Sequence, residues 1–210
     1  MRPKTTLLLL GIAVVLILFI QLYEKKKPST DEWQLKQSKV FPDFKPDRVS
    51  QLEIRREGDA AAPDGGLILV KKIEEGKWLL EKPRQVRADA MEVKGLLGEL
   101  EFLGKVGTVS PEDGKPVDLA SYGLDKPRIT ASYWTGPTQA DRHTFYVGAG
   151  RAGGSEVYMR HEGGKEVYMV QGSLLDKLTR SLNDLRSKDV FEMDPNAVQR
   201  MELRYGSGDA

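Results

Sequence analysis

The chain has 210 residues, enough for one domain with its own core and the beginning of another. It has no cysteine, which excludes disulfides, thiolate nucleophiles, thiolate metal sites and a lipidated N-terminal cysteine. Arg2, Lys4, Lys25, Lys26 and Lys27 face only Glu24 in the first 27 positions, leaving 27 basic and 30 acidic groups from Pro28 onward, the wrong sign for a nucleic-acid partner.

Leu7 to Ile20 reads LLLLGIAVVLILFI, with twelve of fourteen residues Leu, Ile, Val or Phe. At about −0.3 to −0.6 kcal/mol each, they give roughly −5 kcal/mol towards bilayer insertion. Extended to residues 5–23, the stretch makes about 28 Å of helix, which matches the hydrocarbon thickness. It ends in Gln21-Leu-Tyr-Glu-Lys-Lys-Lys with no small-residue cleavage site, so it reads as an uncleaved anchor rather than a signal peptide. Residues 1–27 are therefore expected to be a short tail and transmembrane anchor whose partner is the lipid bilayer. The basic residues flanking it nearly balance, so charge alone leaves topology open. Residues 28–39, polar apart from Trp33 and Leu35, are expected to be a stalk.

From Val49 the pattern becomes that of a largely antiparallel sheet. Leu52 and Ile54, then Leu67 and Leu69, alternate across the turn-rich stretch from Ala60 to Gly66 and predict a hairpin. Trp78-Leu-Leu continues it as a third strand that Pro83 stops. Val93, Leu96, Leu97, Leu100 and Leu103 then recur at helical spacing, with Asp89 as N-cap and Glu92 as its box partner. Gly95 and Gly98 in that helix either allow close packing on the sheet or are simply tolerated. Two further strands follow, through Ile129, Ala131 and Tyr133 and through His143, Phe145 and Val147.

Gly148-Ala-Gly150-Arg-Ala-Gly153 has the spacing of a pyrophosphate-binding loop, which requires a helix after the glycines. After Gly154 the chain instead continues Ser-Glu-Val-Tyr-Met-Arg, repeated ten residues later as Lys-Glu-Val-Tyr-Met-Val: two strand patterns joined by a glycine turn. The glycines therefore predict a tight reversal, and no cofactor is expected. In these strands Tyr158 and Tyr168 alternate with Val157/Met159 and Val167/Met169, so the tyrosines either lie beneath covering helices or face a partner. Ser173 as N-cap with Leu175, Leu178, Leu182 and Leu185 predicts a second amphipathic helix.

Pro46-Asp-Arg-Val-Ser-Gln-Leu-Glu-Ile-Arg55 resembles Pro195-Asn-Ala-Val-Gln-Arg-Met-Glu-Leu-Arg204. Either this is a chance echo between edge-like strands, or residues 190–210 begin a second, truncated repeat copy. The order of Trp78-Leu-Leu-Glu-Lys-Pro83, Tyr122-Gly-Leu-Asp-Lys-Pro127, Phe145-Tyr-Val-Gly148, the two Val-Tyr-Met runs and Asp184-Leu-Arg-Ser-Lys-Asp-Val-Phe191 resembles the bacterial domain-of-unknown-function family 4340 (DUF4340). The resemblance covers about Val40 to Phe191. It implies a mixed α and β domain over residues 40–189, one N-terminal anchor, an extracytoplasmic location and company with ABC-transporter-like or gliding-type membrane systems. It implies no catalytic residues.

His143 on a strand face and His161 in a glycine turn have no partners at metal-ligand spacing. Glu112-Asp113 reads as turn chemistry before it reads as an acid/base pair. The expectation is thus an α+β fold, a largely antiparallel sheet with two amphipathic helices preceded by one transmembrane helix, with no catalytic, cofactor-binding or metal residue. The protein reads as a non-catalytic, single-pass protein of the bacterial inner membrane, an accessory or scaffold in a membrane complex. The alternatives are an extracytoplasmic module binding cell-wall glycan or another ligand, and an enzyme using clustered carboxylates.

Overall fold

The computed structural model describes residues 30–58, 66–111, 115–136, 138 and 141–189, with the single positions 12, 13, 16, 19, 200 and 202. The expected anchor is thus represented only by Ile12, Ala13, Leu16 and Phe19, each helical and exposed. Among the described residues no helix is long and apolar enough to cross a membrane. The expected Ala60–Gly66 turn, Glu112-Asp113 and the start of a second copy at 190–210 lie almost wholly outside the described residues.

The fold is α+β. Its nine described strands are β1 (Gln51–Arg56), β2 (Leu67–Glu74), β3 (Lys77–Lys82), β4 (Val86–Arg87), β5 (Gly107–Val109), β6 (Ile129–Trp134), β7 (Arg142–Gly150), β8 (Glu156–His161) and β9 (Val167–Gln171). They form one sheet in the order β4-β3-β2-β1-β6-β7-β8-β9-β5, with every pairing antiparallel. Both edges are short strands, two and three residues long, which leaves little unpaired backbone to template other chains.

Among the described residues from Thr30 onward, four helices accompany the sheet: α1 (Thr30–Ser38), α2 (Ala90–Phe102), α3 (Ser173–Leu178) and α4 (Leu182–Leu185). Helix α2 turns Val93, Leu96, Leu97 and Leu100 inward, as their spacing predicts, and α3 and α4 add Leu174, Leu178 and Leu185 to the same core. From the sheet this core receives Leu52, Ile54, Ile68, Val70, Leu80, Phe145, Val147 and Met159. The other face is covered at the β7–β8 end by a 3-10 turn, Ala120–Tyr122, with Tyr122 edge-on to Tyr158 at 4.8 Å.

Four local expectations need correction. The stalk is helical: α1 contains Glu, Gln, Leu and Lys with no Gly or Pro, so nothing interrupts the helix although it has no apolar face. In β2 the buried residues are Ile68 and Val70, not Leu67 and Leu69. The run Leu-Ile-Leu-Val is apolar on both faces, so period two cannot choose between them; pairing of Leu52 with Val70 and Ile54 with Ile68 does.

The two tyrosines do not share a face. Met159 pairs with Tyr168 and Tyr158 with Met169, so an odd-numbered residue always opposes an even-numbered one. Motif copies ten positions apart share parity, and like letters therefore fall on opposite sides. Tyr168 packs against the main core, while Tyr158 lies under the 3-10 turn.

The second amphipathic helix is split into α3 and α4. Gly172, not Ser173, caps α3, and Ser173 Oγ instead donates to Glu99 at 2.7 Å. Ser181 and Asp184 form a reciprocal capping box that starts α4. At the break, the Thr179 and Arg180 carbonyls accept from the Arg56 guanidinium at 3.1 and 3.2 Å, so buried Arg56 ties the interruption to the end of β1.

Candidate functional site

The glycine motif is structural. β7 runs through Gly150, and the chain reverses at Gly153, whose φ is +74°, before entering β8, so no helix opens after the glycines. A Cβ on Gly148 would lie 2.3 Å from the Tyr122 carbonyl oxygen, and one on Gly123 would lie 2.9 Å from the Ala149 amide nitrogen. The two glycines thus let the 3-10 turn dock on β7.

The more informative concavity lies where α1 enters the fold. Lys105 N–H donates to the Ser38 carbonyl at 2.7 Å and Val40 N–H to the Leu103 carbonyl at 2.9 Å, which fixes the stalk end against the segment after α2. Phe41 and Phe44 then turn inward against Tyr133 at centroid distances of 6.0 and 4.9 Å. A cavity of about 480 Å³ is left, lined by this segment, the adjoining ends of β6, β7 and β8, and both histidines.

His143 is exposed at the start of β7, where its ring stacks on Tyr133 at 5.0 Å and 22°. His161 is not in the glycine turn but is the last residue of β8. It is half-buried, edge-on to Phe41 at 4.8 Å, with Nε2 3.2 Å from the Val40 carbonyl oxygen. Burial, then Lys105 and His143, lower its pKa, against the opposing pull of the Val40 carbonyl. The neutral ring must carry its proton on Nε2, since a carbonyl can only accept, and Nδ1 is left as an acceptor. Burial pushes the Tyr133 hydroxyl up to about 12, so it remains protonated.

The cavity rim is cationic. Lys45 and Arg48 sit at the two ends of the 3-10 turn Pro46–Arg48, and neither has an ion-pair partner among the described residues. The rim carboxylates are engaged: Asp43 lies 3.5 Å from Lys36, and Glu162 accepts from the Tyr146 hydroxyl at 3.3 Å. Among the described residues, no three His, Cys, Asp or Glu side chains are placed to hold a metal ion.

A second depression, about 710 Å³, runs along α2 beside the β2–β3 hairpin. Met91 and Phe102 stand 75% and 73% exposed along it, between Lys72, Glu75, Lys94 and Glu101.

Sequence reasoning noted both histidines but did not bring them together. Their convergence follows from the pairing of Phe145 with His161, and a register shift between Val147 and Gly150 hides that pairing from simple counting back from the turn. The Phe41-Pro-Asp-Phe44 run just after the stalk was the overlooked signal: two aromatics so close together outside a strand pattern need somewhere to pack.

A family model described as Domain of unknown function (DUF4340) matches residues 78–210. Tyr133, His143 and His161 fall within the match, and the Val40–Arg48 wall precedes it. No curated protein and no solved structure matches the chain.

Proposed function

The chain belongs to the DUF4340 family, and on that premise we propose that it is a non-catalytic, single-pass protein of the bacterial inner membrane whose extracytoplasmic domain is an accessory or scaffold in a membrane complex. The observation that carries this reading is the groove along α2, where exposed Met91 and Phe102 are bordered by charges of both signs. Apolar surface with a polar border is the usual character of a protein-binding patch. The sequence supports it too: the apolar segment Leu7 to Ile20 precedes the helical residues 30–38, whose end is hydrogen-bonded to the domain. Full-length protein extracted in detergent is expected to bring protein partners with it. Met91→Ser combined with Phe102→Ser should lose them with Tm unchanged, and repeated isolation of the wild-type protein alone would overturn the scaffold reading.

One observation favours a second reading, a module that binds cell-wall glycan or another ligand. The cavity at the stalk end falls within the roughly 300–1,000 Å³ range of small-molecule sites and combines aromatic walls with polar groups. Calorimetry of the full chain in micelles against neutral and acidic wall-glycan fragments tests it.

A further inference from the structure

The stalk-end cavity carries an unbalanced set of charges. Lys45, Arg48 and Arg142 outnumber Asp43 and Glu162 along its lining, Asp43 is paired with Lys36, and Lys45 and Arg48 have no ion-pair partner among the described residues. The backbone that carries the two cations is held in place, although both side chains are exposed. Arg48 N–H donates to the Lys45 carbonyl at 3.1 Å, Val49 is fully buried behind them, and Ser50 N–H donates to the Trp134 carbonyl at 2.8 Å. Two positive side chains carried on one short turn, lining the same cavity as His143, concentrate an attraction for a single negative group. Further in, the chemistry is that of a ring: the Tyr133–His143 stack, the Phe44 edge and the acceptor Nδ1 of neutral His161 suit a body with an apolar face and hydroxyl donors.

We propose that the cavity bounded by Phe41, Phe44, Tyr133, His143 and the Lys45–Arg48 rim binds a small sugar bearing one carboxylate or phosphate. The inference rests on the second reading above and adds to it a ligand class and a location. The anionic group lies at the rim, between Lys45 and Arg48, and the sugar ring lies against Tyr133 and His143. Salt should weaken the complex, because both cations are exposed and their attraction is screened over roughly 8–10 Å.

The test uses the full chain in detergent micelles at low salt, titrated with glucuronate, N-acetylmuramate, glucose 6-phosphate, glucose and N-acetylglucosamine. At least one acidic sugar should bind, with its neutral counterpart weaker by about tenfold or more. The carboxylate and phosphate arms show which anion the rim prefers. Lys45→Gln and Arg48→Gln should each weaken the acidic sugar by about three- to tenfold without lowering Tm, since both side chains are exposed. Equal affinity for neutral and acidic sugars overturns the charge assignment and leaves the binding-module reading standing. Unchanged affinity in both variants overturns the location. Binding of none of the five sugars overturns the inference, while wall-glycan fragments that still bind keep the module reading.

Discussion

The ring of His161 is held between Phe41 and Tyr168, at 4.8 and 5.6 Å, with Val40 behind it and Lys105 and His143 nearby. Charging that ring would cost desolvation and set it against the Lys105 ammonium and the neighbouring His143, and the carbonyl of Val40 only partly offsets this. The folded-state pKa therefore lies below the ordinary 6.5. A depressed pKa means the unfolded chain binds more protons, so the contribution to stability is fully present above about pH 6.5 and is lost progressively as pH falls from there through the lower folded-state pKa. Thermal melts from about pH 7.5 to about pH 5 should show Tm falling more steeply in the wild type than in His161→Phe, which keeps a ring but cannot titrate. Parallel profiles for the two proteins would show that His161 is not the group responsible.

Helix α2 separates what a sequence reveals from what it hides. Its start, its buried stripe and its N-cap all follow from local chemistry: Asp89 accepts from the Met91 and Glu92 amides at 2.9 and 3.2 Å. Glu92, expected to complete a capping box, instead pairs with Arg180 at the α3–α4 break, a partner 88 residues away that no local pattern reveals. Seven of the nine described strands were legible for the same local reason and the two short edge strands, β4 and β5, were not; the buried face of β2, the sides taken by Tyr158 and Tyr168 and the meeting of the histidines depend on register. Register is set by partners distant in sequence. The glycines show the same division. A Cβ on Gly98 meets nothing within 4 Å, and one on Gly95 meets only the Lys177 Nζ at 3.7 Å, so neither glycine serves close packing. Gly98→Ala should therefore stabilise the domain by up to about 1 kcal/mol, as helix propensity dictates. Gly148→Ala should destabilise it by about 1–3 kcal/mol, because the methyl collides with the Tyr122 carbonyl oxygen. Denaturant midpoints shifting in opposite directions would confirm both placements, and a stable Gly148→Ala would show that the 3-10 turn is not docked on β7 as described.

The molecule as a whole joins an apolar N-terminal segment, a helical stalk and a sheet domain whose cavity opens at the stalk end. Whether that cavity faces the periplasm decides which ligands and partners can reach it, and the flanking charges Arg2, Lys4 and Lys25 to Lys27 nearly cancel as a topology signal. The absence of native cysteine makes the question simple to answer, because any thiol introduced is the only one present. Lys165 is exposed in the β8–β9 turn region and lines neither the stalk-end cavity nor the α2 groove. Lys165→Cys in intact spheroplasts should react with a membrane-impermeant maleimide to the same extent as after lysis, as an extracytoplasmic domain requires. Labelling that appears only after lysis would put the domain in the cytoplasm. The stalk would then present the Lys45–Arg48 rim to cytoplasmic anions, and the periplasmic accessory role would fall while the cavity chemistry stood unchanged.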